Sequence, residues 1–236
     1  MLKKSLLTAV VLGLSTTAVQ ANEFFGHELS GYINASVGQA KAEKPKPVKH
    51  EQNDWKEWGQ GASSDRTDTA YKITLGVSIN PYLAVEAQYI DLGKSKYKGR
   101  DFGTDDYGSW SDIEKVNFET SGLGMNLVGV YPIEDFTLFA KAGYHYLKTK
   151  GSYKYNATDV YLGDIDNYSE SSSKTVRKWA PSFGVGASYN ITPEFAVVAE
   201  YERFHKVANK NINVYDEKSN FKHNIDFASV GLRYSF

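Results

Sequence analysis

Period two is the strongest constraint on this chain. Across residues 70–80 the odd positions hold Tyr71, Ile73, Leu75, Val77 and Ile79, and the even ones Ala70, Lys72, Thr74, Gly76 and Ser78. Successive side chains of a strand point to opposite faces, so this alternation describes a strand with one apolar and one small or polar face. The pattern returns at 83–91 (Leu83, Val85, Ala87 and Tyr89 against Ala84, Glu86 and Gln88) and at 121–131 (Leu123, Met125, Leu127 and Tyr131 against Gly122, Gly124 and Asn126). It returns again at 136–146, 179–189 and 195–202, in a first strand at about 29–39, and in a last one ending at Phe236. Eight strands result. Three short turns contain Pro81, Pro132 and Pro193. Four long polar connections, at about 40–68, 93–115, 148–174 and 205–222, alternate strictly with them. Turns at one end and loops at the other describe an all-β, eight-stranded antiparallel up-and-down barrel.

Residues 1–21 stand apart. Lys3 and Lys4 precede a short apolar run, and small residues lead to a cleavage point before Asn22. That order is a secretory signal peptide, too short to span a membrane as a helix. The remaining 22–236 form the barrel domain. No later run is long and apolar enough for a membrane helix, so the exported chain is soluble or spans as a barrel.

Composition decides which face is outside. The polar face is mostly Gly, Ser, Ala, Thr and Asn, which fit the narrow lumen of eight strands. A face bathed in water would be richer in Lys and Glu. The apolar face carries aromatics near both strand ends: Tyr131, Phe136, Tyr189 and Phe195 toward the turns, and Tyr71, Tyr89, Tyr144, Trp179 and Tyr201 toward the loops. Two aromatic girdles with aliphatic residues between them are expected of a transmembrane barrel. The mean hydropathy of -0.46 reflects polar loops and a polar lumen.

These features resemble the small bacterial outer-membrane β-barrel family, the group of the OmpA transmembrane domain, OmpX/Ail and the opacity proteins. The last strand carries the likeness most specifically, with Val230, Leu232, Tyr234 and Phe236 alternating to the terminus. The resemblance implies a Gram-negative outer-membrane location. It implies that this strand is the signal read by the barrel assembly machinery and periplasmic chaperones, and that lipid and lipopolysaccharide are the surroundings. The peptidoglycan-binding domain that follows the OmpA barrel has no counterpart after Phe236, so that activity is not expected.

Seven charges fall on inward positions: Lys72, Glu86, Lys141, Lys178, Glu200, Glu202 and Arg233. The resemblance implies an interior ionic network; the alternative is separate solvation in a wet lumen. Glu86, Lys141, Glu200 and Arg233 are expected at similar depth, and Lys72, Lys178 and Glu202 nearer the loops.

Catalytic parts are missing from the pattern. The histidines, His27, His50, His145, His205 and His223, form no His-x-x-x-His pair, and there is no cysteine. No nucleophile, base and orienting group can be assembled, so no enzyme is expected. The acidic clusters Asp105-Asp106 and Asp164, Asp166, Asn167 lack the spacing of a calcium loop, and neither metal nor cofactor is expected. With 27 basic against 28 acidic residues there is no broad footprint for nucleic acid. The loops remain as the functional surface. Trp55, Trp58, Tyr107, Trp110, Tyr153, Tyr155, Tyr161 and Tyr168 lie there among balanced charges, suiting a structural or adhesive role toward a host or extracellular ligand. A narrow porin for small solutes is the alternative.

Overall fold

The computed structural model describes residues 23–24, 27–28, 30–57, 61–208 and 221–236. The signal segment, Trp58 and the centre of the fourth connection lie outside the described residues. Eight strands form a closed antiparallel ring: β1 (Ser30–Ala42), β2 (Thr67–Asn80), β3 (Leu83–Thr104), β4 (Gly108–Ile133), β5 (Phe136–Tyr161), β6 (Asp164–Asn190), β7 (Phe195–Val207) and β8 (His223–Ser235). Each pairs with its neighbour in sequence, and β8 closes on β1 from Ile225↔Ala42 to Ser235↔Tyr32. Closure leaves no free edge in the barrel wall, the condition for placing a sheet in lipid.

Three short turns join β2–β3, β4–β5 and β6–β7. In the first, Asn80 Oδ1 accepts the Tyr82 amide at 2.8 Å. In the second, Glu134 adopts φ 52 between Ile133 and Phe136. In the third, Thr192 Oγ1 accepts the Phe195 amide at 3.0 Å. All three use local side-chain acceptors or left-handed backbone to reverse the chain in few residues.

The two halves of the ring differ in height. β1, β2, β7 and β8 have 13 or 14 residues, whereas β3, β4, β5 and β6 have 22, 26, 26 and 27. A membrane needs only about 9–11 residues of tilted strand. The surplus continues as one four-stranded sheet, the ridge, with β4 and β5 in unbroken register from Ile133↔Phe136 to Gly108↔Tyr161. The segments 93–115 and 148–174, expected as loops, are thus paired strand for most of their length. β3 enters the ridge through a bulge between Asp91 and Lys94. There Gly93 sits at φ 68, Asp91 accepts its amide at 3.0 Å, and Asp68 accepts the Lys94 amide at 2.8 Å.

The first connection is also structured. It holds a helix, α1 (Lys46–Glu57), and a short strand, Gly61–Asp65, that pairs with Arg100–Lys96 of β3. Pro45 and Pro47 flank the helix start, where a missing amide hydrogen costs nothing. Gln52 ties the two pieces together. Its Oε1 accepts Lys44 Nζ at 2.6 Å and the Ser64 hydroxyl at 2.9 Å, and its Nε2 donates to Ser63 O at 2.9 Å.

The barrel interior is layered rather than polar throughout. Nearest the turns lies an apolar layer of Tyr32, Ala84, Val128, Phe139 and Val198. A charged layer follows. Above it Ala70, Ile90, Leu92, Leu147, Phe204, Ile225 and Phe227 form a second apolar layer, and Val48 of α1 closes a third with Tyr97, Val116, Phe118 and Phe221. Each large side chain so enclosed contributes about 1.5–3 kcal/mol of transfer free energy.

Candidate functional site: the charged layer and the extracellular ridge

The charged layer is assembled from four strands, β2, β3, β5 and β7. Lys141 on β5 stands at its centre, with Nζ 2.5 Å from Glu200, 3.4 Å from Glu202 and 3.7 Å from Glu86. Lys72 on β2 lies 2.6 Å from Glu200 and 3.6 Å from Glu202. All five side chains are buried. Neutral groups complete the shell. The Tyr32 hydroxyl donates to Glu86 at 2.9 Å, the Ser182 hydroxyl to Glu202 at 2.8 Å, and Asn126 Nδ2 to Gln88 Oε1 at 2.9 Å. Gln88 Nε2 lies 2.8 Å from His145 Nε2, which fits donation to a neutral imidazole. Charges removed from water need this many partners to be tolerated.

Of the seven inward charges read from the sequence, Lys72, Glu86, Lys141, Glu200 and Glu202 converge in this one layer, so Lys72 and Glu202 sit with the others rather than nearer the loops. Arg233 lies apart, its guanidinium 4.5 Å from the centre of the Tyr32 ring. Lys178 is at the loop end and donates to Lys206 O at 2.7 Å. Gln88, Asn126, Ser182 and His145 were not among those seven; the signal that could have found the first three was their inward parity beside the acids. Glycine makes the close approach possible. A Cβ on Gly124 would overlap the His145 ring, and one on Gly76 would overlap Tyr32.

The outer wall is apolar. Tyr131, Phe136, Tyr189 and Phe195 are exposed toward the turns and Tyr71, Tyr89, Tyr144, Trp179 and Tyr201 toward the ridge. Leu75, Leu123, Met125, Leu127, Leu138 and Val185 are exposed between them, and so are Val230, Leu232, Tyr234 and Phe236 on β8. Soluble monomers rarely expose so continuous an apolar band; it is a surface made for hydrocarbon. At the upper girdle the rings pack on one another, with Tyr144 stacked on Trp179 at 5.4 Å and 7°.

Above that girdle the ridge changes character twice. Its lower outer face is basic: Lys94, Lys150 and Thr175 share one cross-strand row with Glu119, and Lys98, Lys115 and Lys154 share another. Its apex is acidic and aromatic. Asp101 faces Asp112, and Asp159 faces Asp166 across paired strands. Partial burial, with Asp159 and Asp101 nearby, raises the Asp112 carboxyl above its ordinary value against the hydrogen bond from Tyr155. The two hairpin ends meet there. The Leu162 amide donates to Tyr107 O at 2.9 Å, and the Tyr107 and Tyr161 rings are 6.4 Å apart. Tyr107, Tyr161 and Leu162 are 62%, 61% and 72% exposed. No group of His, Cys, Asp or Glu among the described residues converges tightly enough to hold a metal ion.

A closed ring of eight antiparallel strands with an apolar, girdled wall and a filled interior defines a transmembrane β-barrel. The chain belongs to the outer membrane protein β-barrel domain family, which it matches over residues 6–236. That family places it in the Gram-negative outer membrane. Solved structures with a similar fold include Neisserial surface protein A (14% identity, 87% of this chain and 97% of the other, TM-score 0.48). They also include Ail, the attachment invasion locus protein of Yersinia pestis (15%, 88% and 98%, TM-score 0.42). A third is OprG of Pseudomonas aeruginosa (13%, 87% and 96%, TM-score 0.44). No curated protein matches in sequence.

Proposed function

We propose that the barrel is an anchor and that the ridge is the working part, a non-enzymatic surface that contacts an extracellular or host partner. One observation carries this reading: half of the ring continues as a paired sheet far above the upper girdle. From Tyr146 to Tyr161, β5 runs on for roughly 50 Å at about 3.3 Å per residue. An interior sealed by apolar layers on both sides of the charged one supports an anchor over a narrow porin. The basic rows just above the girdle suit the phosphates of lipopolysaccharide. Residues 1–21 direct export, and the alternating last strand with Val230, Leu232, Tyr234 and Phe236 serves the assembly machinery and its chaperones.

The row Arg100–Ile113–Asn156–Ser169 crosses all four strands, so both hairpins can be shortened above it without disturbing register. The shortened chain should still show heat-modifiable migration in the outer-membrane fraction. Attachment of bacteria carrying it to cells or matrix should fall to the level of a strain lacking the protein. Undiminished attachment, together with charge-selective conductance of the intact chain in planar bilayers, would favour the porin instead.

A further inference from the structure

The ridge is sorted by charge between its two faces. Alternate residues of a strand point to opposite sides, so each cross-strand row belongs to one face. The odd residues of β5 that line the lumen, Lys141, His145 and Leu147, continue upward as Tyr153, Tyr155 and Asp159. Helix α1 covers the foot of this inner face, where Val48 packs against Tyr97 and Val116. Above α1 the inner rows are Asp101–Asp112–Ala157–Tyr168 and Gly103–Trp110–Asp159–Asp166, with Glu170 beside Tyr155 in the row below. No cation lies in them. The outer rows at similar height, Lys98–Lys115–Lys154–Ser171 and Arg100–Ile113–Asn156–Ser169, carry four cations and no carboxylate.

The upper inner face is unpartnered and its charges are unbalanced. Asp101 faces Asp112 and Asp159 faces Asp166, and like charges set directly opposite weaken a ladder. Among the described residues Asp101, Asp112, Asp159, Asp166 and Glu170 form no ion pair. Aromatic rings lie between these carboxylates. Tyr155 and Tyr168 stand 6.0 Å apart at 58°, and the Trp110 ring lies over Gly103. Tyr168 is 56% exposed. A ring beside a carboxylate suits a guanidinium, whose plane stacks on the ring while its edge donates two parallel hydrogen bonds to the acid. By strand spacing and rise the two aspartate pairs are roughly 12 Å apart. One small cation cannot bridge them, but two side chains about four residues apart in an extended segment can reach both.

We propose that this inner face is a docking site for a basic, arginine-bearing segment of another polypeptide, with guanidinium groups on the two aspartate pairs and against Tyr155, Tyr168 and Trp110. The proposal rests on the reading of the ridge as a contact surface and names the chemistry of its partner. The basic outer face repels the same segment, so binding is directed to one side of the sheet. Lysine matches the charge but lacks the flat, forked head that stacks and pairs at once, so arginine is preferred.

The test uses the full chain folded in zwitterionic lipid nanodiscs and fluorescent nona-arginine, followed by anisotropy. Saturable binding is expected, tighter than that of nona-lysine. Asp101→Asn with Asp159→Asn should weaken it about tenfold. Each of these changes removes a like charge from the ladder, so the ridge stays folded. Glu134→Gln with Asp135→Asn, at the turn end, alters net charge equally and should leave binding unchanged. Tyr168→Ala should erase the preference for arginine over lysine. No saturation by about 1 mM peptide, equal weakening by the two charge variants, or no arginine preference in the wild-type chain overturns the proposal. Saturable calcium binding or self-association of the chain, lost in the Asp101→Asn, Asp159→Asn variant while the peptide does not bind, overturns it in favour of a metal or a second copy. Attachment lost on shortening the ridge but kept by that variant leaves the ridge reading intact and removes this face from it.

Discussion

The barrel wall and the ridge are made of the same strands, yet they are stabilised in opposite ways. Within the membrane, β5 has lipid on one face and packed side chains on the other, so every second residue is enclosed. Fifteen residues further on, the same strand is held by its two neighbours and little else, and β6 beside it is exposed on both faces. The difference teaches where sequence tolerance lies. Stability is concentrated in the interior layers, and the ridge is free to carry charges and aromatics that a folding argument does not require.

The sharpest break in that comparison is a matched pair of lysines on β5. Lys141→Ala leaves Glu86, Glu200 and Glu202 in one buried layer with only Lys72 near, which should cost about 3–5 kcal/mol. Lys154→Ala, on the exposed face of the ridge, should change stability by less than about 0.5 kcal/mol. Urea titration of folding into lipid vesicles measures both. Equal midpoints for the two variants would mean that the charged layer is separately hydrated and does not behave as a network.

A second pair tests the apolar layer above it. Phe204 is fully buried and meets the His145 ring edge-on at 5.1 Å, so Phe204→Ala should cost about 3 kcal/mol or more. Phe102 on the ridge is 65% exposed, and its alanine variant should fold like the wild type. A near-neutral Phe204→Ala would show that the layer repacks easily. The case for a sealed interior would weaken with it.

The boundary between the two regions offers a smaller effect. Trp179 packs on both Tyr144 and Tyr146, at 5.4 and 5.3 Å. Trp179→Ala should cost about 1 kcal/mol, the scale of aromatic pairing beyond simple burial. It should also move a spin label at Lys148 toward a more lipid-like environment if the girdle sets the height of the barrel. No change at that label would place the membrane border elsewhere.

Most of the barrel was legible because lipid and lumen impose unlike demands on alternate residues. Tyr71 through Ile79 shows this without help from any other segment. Where both faces meet water the alternation loses its meaning, and Asp164–Thr175 therefore reads as a loop although it is strand. The helix α1 was hidden behind Pro45 and Pro47, which break a helix interior but suit its first turn. The upper apolar layer was obscured because Leu92, Phe204 and Phe227 share a face that is elsewhere polar. The charged residues themselves could be named from inward parity. Their partners could not, since Lys72 and Glu200 are 128 positions apart and meet only through the closed ring's register.

The smallest expected effect sharpens the comparison at the apex. Asp112 faces Asp101 across the β3–β4 ladder, and partial burial is the main cause that raises its carboxyl above its ordinary value, with Asp159 and Asp101 adding to it and a hydrogen bond from Tyr155 opposing it. A group of this kind is neutral more readily in the folded ridge than in an opened one. The folded apex thus takes up a proton first, and its stability rises as pH falls through the folded value and is lowest once the carboxyl is ionised in both states. Amide exchange over residues 109–113, corrected for intrinsic rates, should therefore show more protection near pH 4 than at pH 7. Asp112→Asn should remove that difference. Because the carboxyl is mostly in solvent the change is small, yet its sign is diagnostic: protection that declines on acidification would mean the apex is held by its carboxylates in the charged form.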